Sequence, residues 1–136
     1  MKRMEKLFNG TVAVVATFLT YLFGGWDAAI GILIVFMILD YVTGVIVAYK
    51  NKTLNSEIGF NGLIKKCMIL IILIVAVMLD RLLNTGTWVF RTLVCYFYIA
   101  NEGVSLLENV SNLGVKIPGK LKDALEQLNE KESEEK

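Results

Sequence analysis

The feature that most constrains this chain is its series of long apolar stretches, in which charged residues are almost absent. Residues 10–26 contain no charged side chain, and residues 28–49 contain one, Asp40. A helix needs about 20 mostly apolar residues to cross about 30 Å of hydrocarbon. A helix of a soluble domain confines its apolar residues to one face, whereas these stretches are apolar all round. They therefore predict an integral membrane protein.

Two further segments continue the pattern. Residues 63–83 contain an uninterrupted apolar run from Cys67 to Leu79, and residues 88–107 contain only two charged side chains. Helices are the expected form, because nothing in the chain alternates in the manner of an outer-membrane barrel. We predict an all-α transmembrane domain over residues 1–112, with four spans arranged as two hairpins. Three spans are the alternative, in which the first segment only lies in the interface.

The placement of Lys and Arg predicts the orientation, because loops rich in these residues stay in the cytoplasm. Ten of them lie before the first span, in the central loop and its edge, or shortly after the last span. The two other connections hold only Arg81 and Arg91. We therefore expect a multi-pass protein of the bacterial cytoplasmic membrane with both termini in the cytoplasm.

The C-terminal segment differs in kind from the spans. Within residues 120–130, three leucines recur at helical spacing: Leu121, Leu125 and Leu128. This spacing predicts an amphipathic helix that lies on the membrane surface or against a partner. We assign residues 113–136 to a cytoplasmic unit that consists of this helix and a solvated charged tail over residues 130–136.

Charged side chains within the spans are the first candidates for functional residues, since each costs about 2.5–3.5 kcal/mol at the centre of a span. At 1.5 Å per residue, Asp40 lies about 18 Å below the outer end of the second helix, and Glu102 about 21 Å below that of the fourth. These similar depths predict a buried cluster of the two carboxylates with Lys65 or Lys66. The alternative is that the helices shift outward and both carboxylates reach the inner headgroups.

The fourth helix carries polar residues that lipid cannot satisfy. They form a stripe that consists of Asn101, Ser105, Glu108 and Asn112, with Arg91 and Tyr98 upstream on the same face and Glu102 and Asn109 at its side. The stripe packs inside one four-helix bundle, forms a subunit interface or pore wall, or belongs to a helix end outside the bilayer. In the second helix, Gly44 and Ala48 next to Thr43 form a small-residue face suited to helix association.

The composition removes most catalytic chemistry. The chain has no His, and no nucleotide-binding, serine-hydrolase or zinc-protease motif occurs in it. The commonest general base and a common metal ligand are therefore missing. Cys67 and Cys95 lie in apolar runs, and we interpret both as small buried hydrophobic residues. We expect no catalysis, no cofactor, no metal and no nucleic-acid partner.

Four short motifs follow one another along residues 38–128. They are Asp40-Tyr41-Val42-Thr43-Gly44, the pair Gly59 and Gly62 before Lys65-Lys66, Asn101-Glu102-Gly103-Val104-Ser105 with Glu108-Asn109, and Gly114 with Pro118. This ordered series resembles the bacteriophage holin family that includes the toxin-secretion and phage-lysis holins of Gram-positive hosts.

The resemblance implies a homo-oligomer that accumulates in the lipid bilayer and then assembles into lesions. Such lesions depolarise the cell and release an endolysin, while related members export toxins. The endolysin is then a functional partner without direct contact, and an antiholin is a candidate partner. The resemblance also implies that Asp40, Thr43 and Gly44 pack the second helix, and that polar residues of the fourth lie between subunits or line water. These polar residues are Asn101, Glu102, Ser105, Glu108 and Asn109.

Two other functions fit the same composition. A small four-helix transporter also carries an intramembrane carboxylate, but it usually places an essential Glu in its first span, where this chain has none. A membrane scaffold or antiholin would oligomerise without permeabilising cells. Release of a co-expressed endolysin distinguishes a holin from both.

Overall fold

The computed structural model describes residues 1–84 and 86–134, with side chains as far as Leu128, and contains only helices and connecting turns over these residues. The predicted all-α class is thus confirmed for the described part of the chain. There are five helices in it: α1 (Lys2–Phe23), α2 (Ala28–Lys50), α3 (Ser56–Leu83), α4 (Val89–Asn112) and α5 (Gly119–Glu134).

Three of these helices, α1, α2 and α3, are long and apolar enough to cross a membrane. Helix α4 has 24 residues, one more than α2. Its polar side chains lower its mean hydropathy, however, so α4 is not among the helices that are apolar enough to be identified as spans from composition. Helix α3 begins at Ser56, seven residues before the apolar segment at residues 63–83. Asn55 explains the early start, because its Oδ1 accepts a hydrogen bond from the Ile58 N–H at 2.8 Å and caps the helix.

Helix α4 is the centre of the bundle and contacts α2, α3 and α5, whereas α2 and α3 have little contact with each other. The core consists of apolar side chains from α2, α3 and α4, joined by Phe23 of α1. Leu33 of α2, Leu73 of α3 and Cys95 of α4 are almost fully buried. Cys95 is therefore the small buried residue that we expected. Cys67 is exposed on α3 instead, because its side of the helix has no neighbouring helix.

Helix α1 lies apart from the bundle for most of its length. Residues 1–19 are all exposed, and Phe23 is the one buried residue of the helix. Gly24 ends α1 in the left-handed conformation with φ 76°, and its N–H donates to the Thr20 carbonyl. The attachment of α1 to the other helices is therefore concentrated at its C-terminal end.

Helix α5 folds back on α4. The turn over residues 113–118 reverses the chain, so that Leu125 meets Gly103 of α4 and Leu128 packs against the core. Leu125 and Leu128 are thus half-buried against the same chain, whereas Leu121 is exposed. The charged segment that we expected as a tail is helical to Glu134, and its last two residues lie outside the described residues.

Candidate functional site

A buried ion cluster joins α2, α3 and α4, and we call it the Lys66 cluster after its central residue. The Nζ of Lys66 donates to Asp40 Oδ2 at 2.8 Å and also to Glu102 Oε2. The side chains of Lys66, Asp40 and Glu102 are 16%, 13% and 11% exposed. The two carboxylates thus lie together as their depths indicated, and Lys66 is their counterion, while Lys65 is exposed.

The spacing between Asp40 and Thr43 has a direct structural reason. These residues are one helical turn apart and face the same side of α2. The Nδ2 of Asn109 on α4 lies 3.0 Å from Asp40 Oδ1, 3.0 Å from Thr43 Oγ1 and 3.1 Å from the Asp40 carbonyl oxygen. One amide group therefore fastens α4 to α2 immediately beside the Lys66 cluster.

Small residues open a cleft beside this cluster. The cleft has a volume of about 330 Å³ and is lined by Gly44, Gly59, Gly62, Lys65 and Ser105 together with the ion cluster. The hydroxyl of Tyr41 donates to the Gly59 carbonyl oxygen at 3.3 Å. A Cβ added at Gly59 or Gly62 would lie 3.4–3.5 Å from the Tyr41 hydroxyl or ring, which is ordinary van der Waals contact, so a small side chain would also fit at either position.

Lys66 is what permits two carboxylates to lie in one buried site. Two negative charges and one positive charge leave the Lys66 cluster with a formal charge of −1, so each carboxylate depends on the same ammonium. Among the described residues, no group of three or more His, Cys, Asp or Glu side chains is arranged to hold a metal ion. The cluster joins α2, α3 and α4 through ion pairs between largely buried side chains.

A second polar cluster lies at the opposite end of the same helices, and we call it the Arg91 cluster. Arg91 is 2% exposed, and its Nε donates to the Phe23 carbonyl oxygen at 2.7 Å. Its Nη1 donates to Asp27 Oδ2 at 2.7 Å and its Nη2 to the Gly25 carbonyl oxygen at 3.2 Å. The guanidinium thus satisfies carbonyl groups that the end of α1 leaves unpaired.

Arg91 lies upstream on nearly the same face of α4 as Glu102, since 11 residues differ from three full turns by about 20°. It is about 17 Å away along the helix, however, and forms no hydrogen bond with the Lys66 cluster. It turns to the α1–α2 connection because the fork of five N–H donors matches the carbonyls and carboxylate gathered there. The sequence gives a weak signal for this role, namely a lone Arg just after a polar turn.

Asp80 completes the Arg91 cluster and was missed by the sequence analysis. This α3 carboxylate is 4% exposed and accepts hydrogen bonds from the backbone N–H groups of Phe90 at 3.0 Å and Arg91 at 2.9 Å. It therefore caps the N-terminus of α4, where the N-cap residue Trp88 makes no side-chain cap hydrogen bond.

The pH dependence of Asp27 gives a test of the Arg91 cluster. The hydrogen bond from Arg91 lowers the pKa of the Asp27 carboxyl below its ordinary value of 3.8, against a smaller opposing effect of burial. A carboxyl group whose pKa is lowered by folding stabilises the folded state at pH values above its pKa in the unfolded chain. This contribution is lost as the pH falls through its pKa in the folded chain. We expect the stability difference between the parent and Asp27→Asn to shrink below pH 3.8 in thermal unfolding in detergent. A difference that stays constant from about pH 6 to about pH 3 would contradict it.

The polar residues of α4 divide between two faces. Glu102 is buried, and Ser105 and Asn109 are half-buried against the cleft and α2. Three others are exposed: Asn101, Glu108 and Asn112. These three, which we call the exposed stripe, lie on the side of α4 away from Gly103 and α5, because 3.6 residues complete a turn.

Comparison with known proteins gives one consistent result. Residues 17–130 match the bacteriophage holin family. A Clostridium perfringens protein, described as an uncharacterized 14.9 kDa protein in the nagH 3′ region, is 56% identical over 94% of this chain and 99% of its own length. A protein of Bacillus phage phi105 described as a probable holin is 40% identical over 77% of this chain and 76% of its own length. No solved structure matches the chain.

Proposed function

Because the chain belongs to the bacteriophage holin family, we propose that it assembles in the bacterial cytoplasmic membrane into lesions that depolarise the cell and release an endolysin. The chain supplies no catalytic group to this process. It supplies a helical membrane domain. The polar side chains of this domain have different hydrogen-bond partners in a single chain and in an assembly of many chains.

We infer four spans with both termini in the cytoplasm. Helix α4 packs along α2, whose composition marks it as a span, so the two helices share the same depth. The Arg91 cluster lies at one end of both helices and the Lys66 cluster near the other, which supports a common membrane layer. With Lys-rich segments on the cytoplasmic side, the Arg91 cluster faces outward.

The exposed stripe of α4 is the observation that carries the assembly proposal. In a single copy, Glu108 and Asn112 are exposed near the C-terminal end of α4, on the side away from α5. Exposed polar side chains on a membrane helix gain from hydrogen bonding to a neighbouring helix. Assembly then depends on the density of copies, while the Lys66 cluster, Thr43, Gly44 and Asn109 keep α2, α3 and α4 together as one unit.

A small-solute transporter is the second candidate function. The cleft of about 330 Å³ between α2, α3 and α4 favours it, because the cleft is open and lies beside a buried carboxylate pair. A transporter would move small solutes in vesicles and would not release a folded enzyme.

Expression in a bacterium with and without a co-expressed endolysin tests the proposed function. We expect a collapse of membrane potential, followed by lysis that requires the endolysin. Replacing Glu108 and Asn112 with Leu should delay lysis at least tenfold, because leucine cannot form hydrogen bonds to a second copy. The matched control is Lys116→Leu, an exposed change after α4 that should keep the parent timing. Depolarisation without endolysin release would support the transporter, and unchanged potential would support a scaffold or antiholin.

A further inference from the structure

The contact between α5 and α4 is close and centred on a glycine. A Cβ added at Gly103 would lie 2.8 Å from Leu125 Cδ1 of α5 and 3.0 Å from Phe36 Cε2 of α2. We call this depression on α4, walled by Phe36, the Gly103 notch. Leu128, one turn beyond Leu125, packs against the core cluster that contains Ile99. The notch thus accepts the apolar side of a helix.

The rest of α5 is unsuited to hydrocarbon. Apart from its three leucines, the described side chains of α5 are exposed and mostly polar or charged. The polar and charged ones are Lys120, Lys122, Asp123, Glu126 and Gln127. From Leu125 the helix continues nine residues to Glu134, about 14 Å, beside α4. If α4 crosses the bilayer, as proposed above, a docked α5 would place several charges beside lipid chains, which is strongly unfavourable.

We propose that α5 leaves the Gly103 notch when α4 lies in the bilayer, and that the notch then receives a helix of a second copy of this chain. This inference rests on the proposed function. A second copy fits better than lipid because Gly103, with Ala100 beside it, lets two helix backbones approach closely. The notch already accommodates one helix in the single chain.

The position of the notch gives α5 control over assembly. At 100° per residue, Asn101 lies about 160° and Glu108 about 140° around α4 from Gly103, so the notch and the exposed stripe face nearly opposite ways. A copy with only the exposed stripe available forms pairs. A copy with both faces available bridges two neighbours and builds rings or open arrays. The chain is therefore limited to pairs while α5 is docked, and the release of α5 in the bilayer permits larger assemblies.

A reversible cross-link tests this inference in the full chain. Gly103→Cys and Leu125→Cys are introduced together with Cys67→Ser and Cys95→Ala, oxidised in detergent and reconstituted into phosphatidylglycerol–phosphatidylethanolamine vesicles that contain fluorescent dextran. We expect the oxidised protein to yield no cross-linked species beyond dimers and to release dextran at least tenfold more slowly. Reductant should restore both larger species and release. The same oxidation of the Leu125→Cys single variant is the control.

A second pair of variants tests the opposite direction without a cross-link. In detergent, where the parent keeps α5 docked, Leu125→Asp should undock α5 and lower the protein concentration needed for larger oligomers at least threefold. Leu121→Asp on the same helix is the matched control, because Leu121 is 49% exposed, and it should assemble like the parent. Equal oligomer sizes for locked and reduced protein would overturn the inference. If the reduced protein forms large oligomers but releases no dextran, the lesion function fails while the notch assignment stands.

Discussion

A Lys66→Met variant will lose about 3–5 kcal/mol of unfolding free energy, the usual cost of removing one partner from a buried ion pair. The methionine leaves Asp40 and Glu102 facing each other with no ammonium between them, although both side chains are largely buried. Denaturant unfolding in detergent, followed by the fluorescence of the two tryptophans, measures the loss.

The adjacent lysine provides a matched control for this effect. Lys65→Met removes the same charge one residue earlier, at an exposed position, and should change the unfolding free energy little. Adding Asp40→Asn and Glu102→Gln to Lys66→Met should restore much of the stability, because no unpaired buried charge is then left. Equal losses for Lys65→Met and Lys66→Met would contradict the Lys66 cluster as described.

An Arg91→Lys variant will release the C-terminal end of α1 from the bundle. A lysine ammonium is compact and cannot reach the Phe23 carbonyl, the Gly25 carbonyl and the Asp27 carboxylate together. Each lost hydrogen bond to a charged group is worth about 1.5–3 kcal/mol. Faster hydrogen exchange of the backbone amides over residues 20–25, together with a lower unfolding free energy, is the expected result.

The control for Arg91 is the second arginine near the same end of α1. The Nη2 of Arg81 donates to the Tyr21 carbonyl oxygen at 2.8 Å, and its guanidinium lies 4.2 Å from the Tyr21 ring centre, but Arg81 is exposed. In Arg81→Lys, water can replace the lost hydrogen bond to the Tyr21 carbonyl oxygen, because this position is exposed. The hydrogen exchange of the Arg81→Lys variant should therefore stay close to that of the parent. If the two variants behave alike, the end of α1 does not depend on the buried guanidinium.

The features that could be predicted from the sequence are those that depend on helical periodicity and on depth in the membrane. Long apolar runs gave the helices, and equal rise per residue placed Asp40 and Glu102 at one level. The choice between Lys65 and Lys66 was not predictable, because neighbouring residues point about 100° apart and the rotation of α3 depends on its packing against α4. The same limit applies to the polar residues of α4. Helical periodicity shows that they form a stripe, but it does not show which of them are buried against the other helices.

The features that the sequence did not reveal depend on distant backbone groups. Arg91 binds the carbonyl of Phe23, 68 positions earlier, and every residue carries such an acceptor. Asp80 caps α4 although it belongs to α3, so no short sequence motif predicts this hydrogen bond. The docking of α5 requires the Gly103 notch, which exists only once Phe36 of α2 is in place.

The distance between the two polar clusters has a consequence for the lipid around the protein. Asp80 and Lys66 are 14 residues apart on α3, about 21 Å, and the hydrocarbon core of a typical bilayer is about 30 Å thick. Both clusters are buried and paired within the protein, so the bilayer can keep its ordinary thickness around an intact chain. Loss of the counterion in either cluster would leave an unpaired charge within this layer, which draws water inward or thins the bilayer locally.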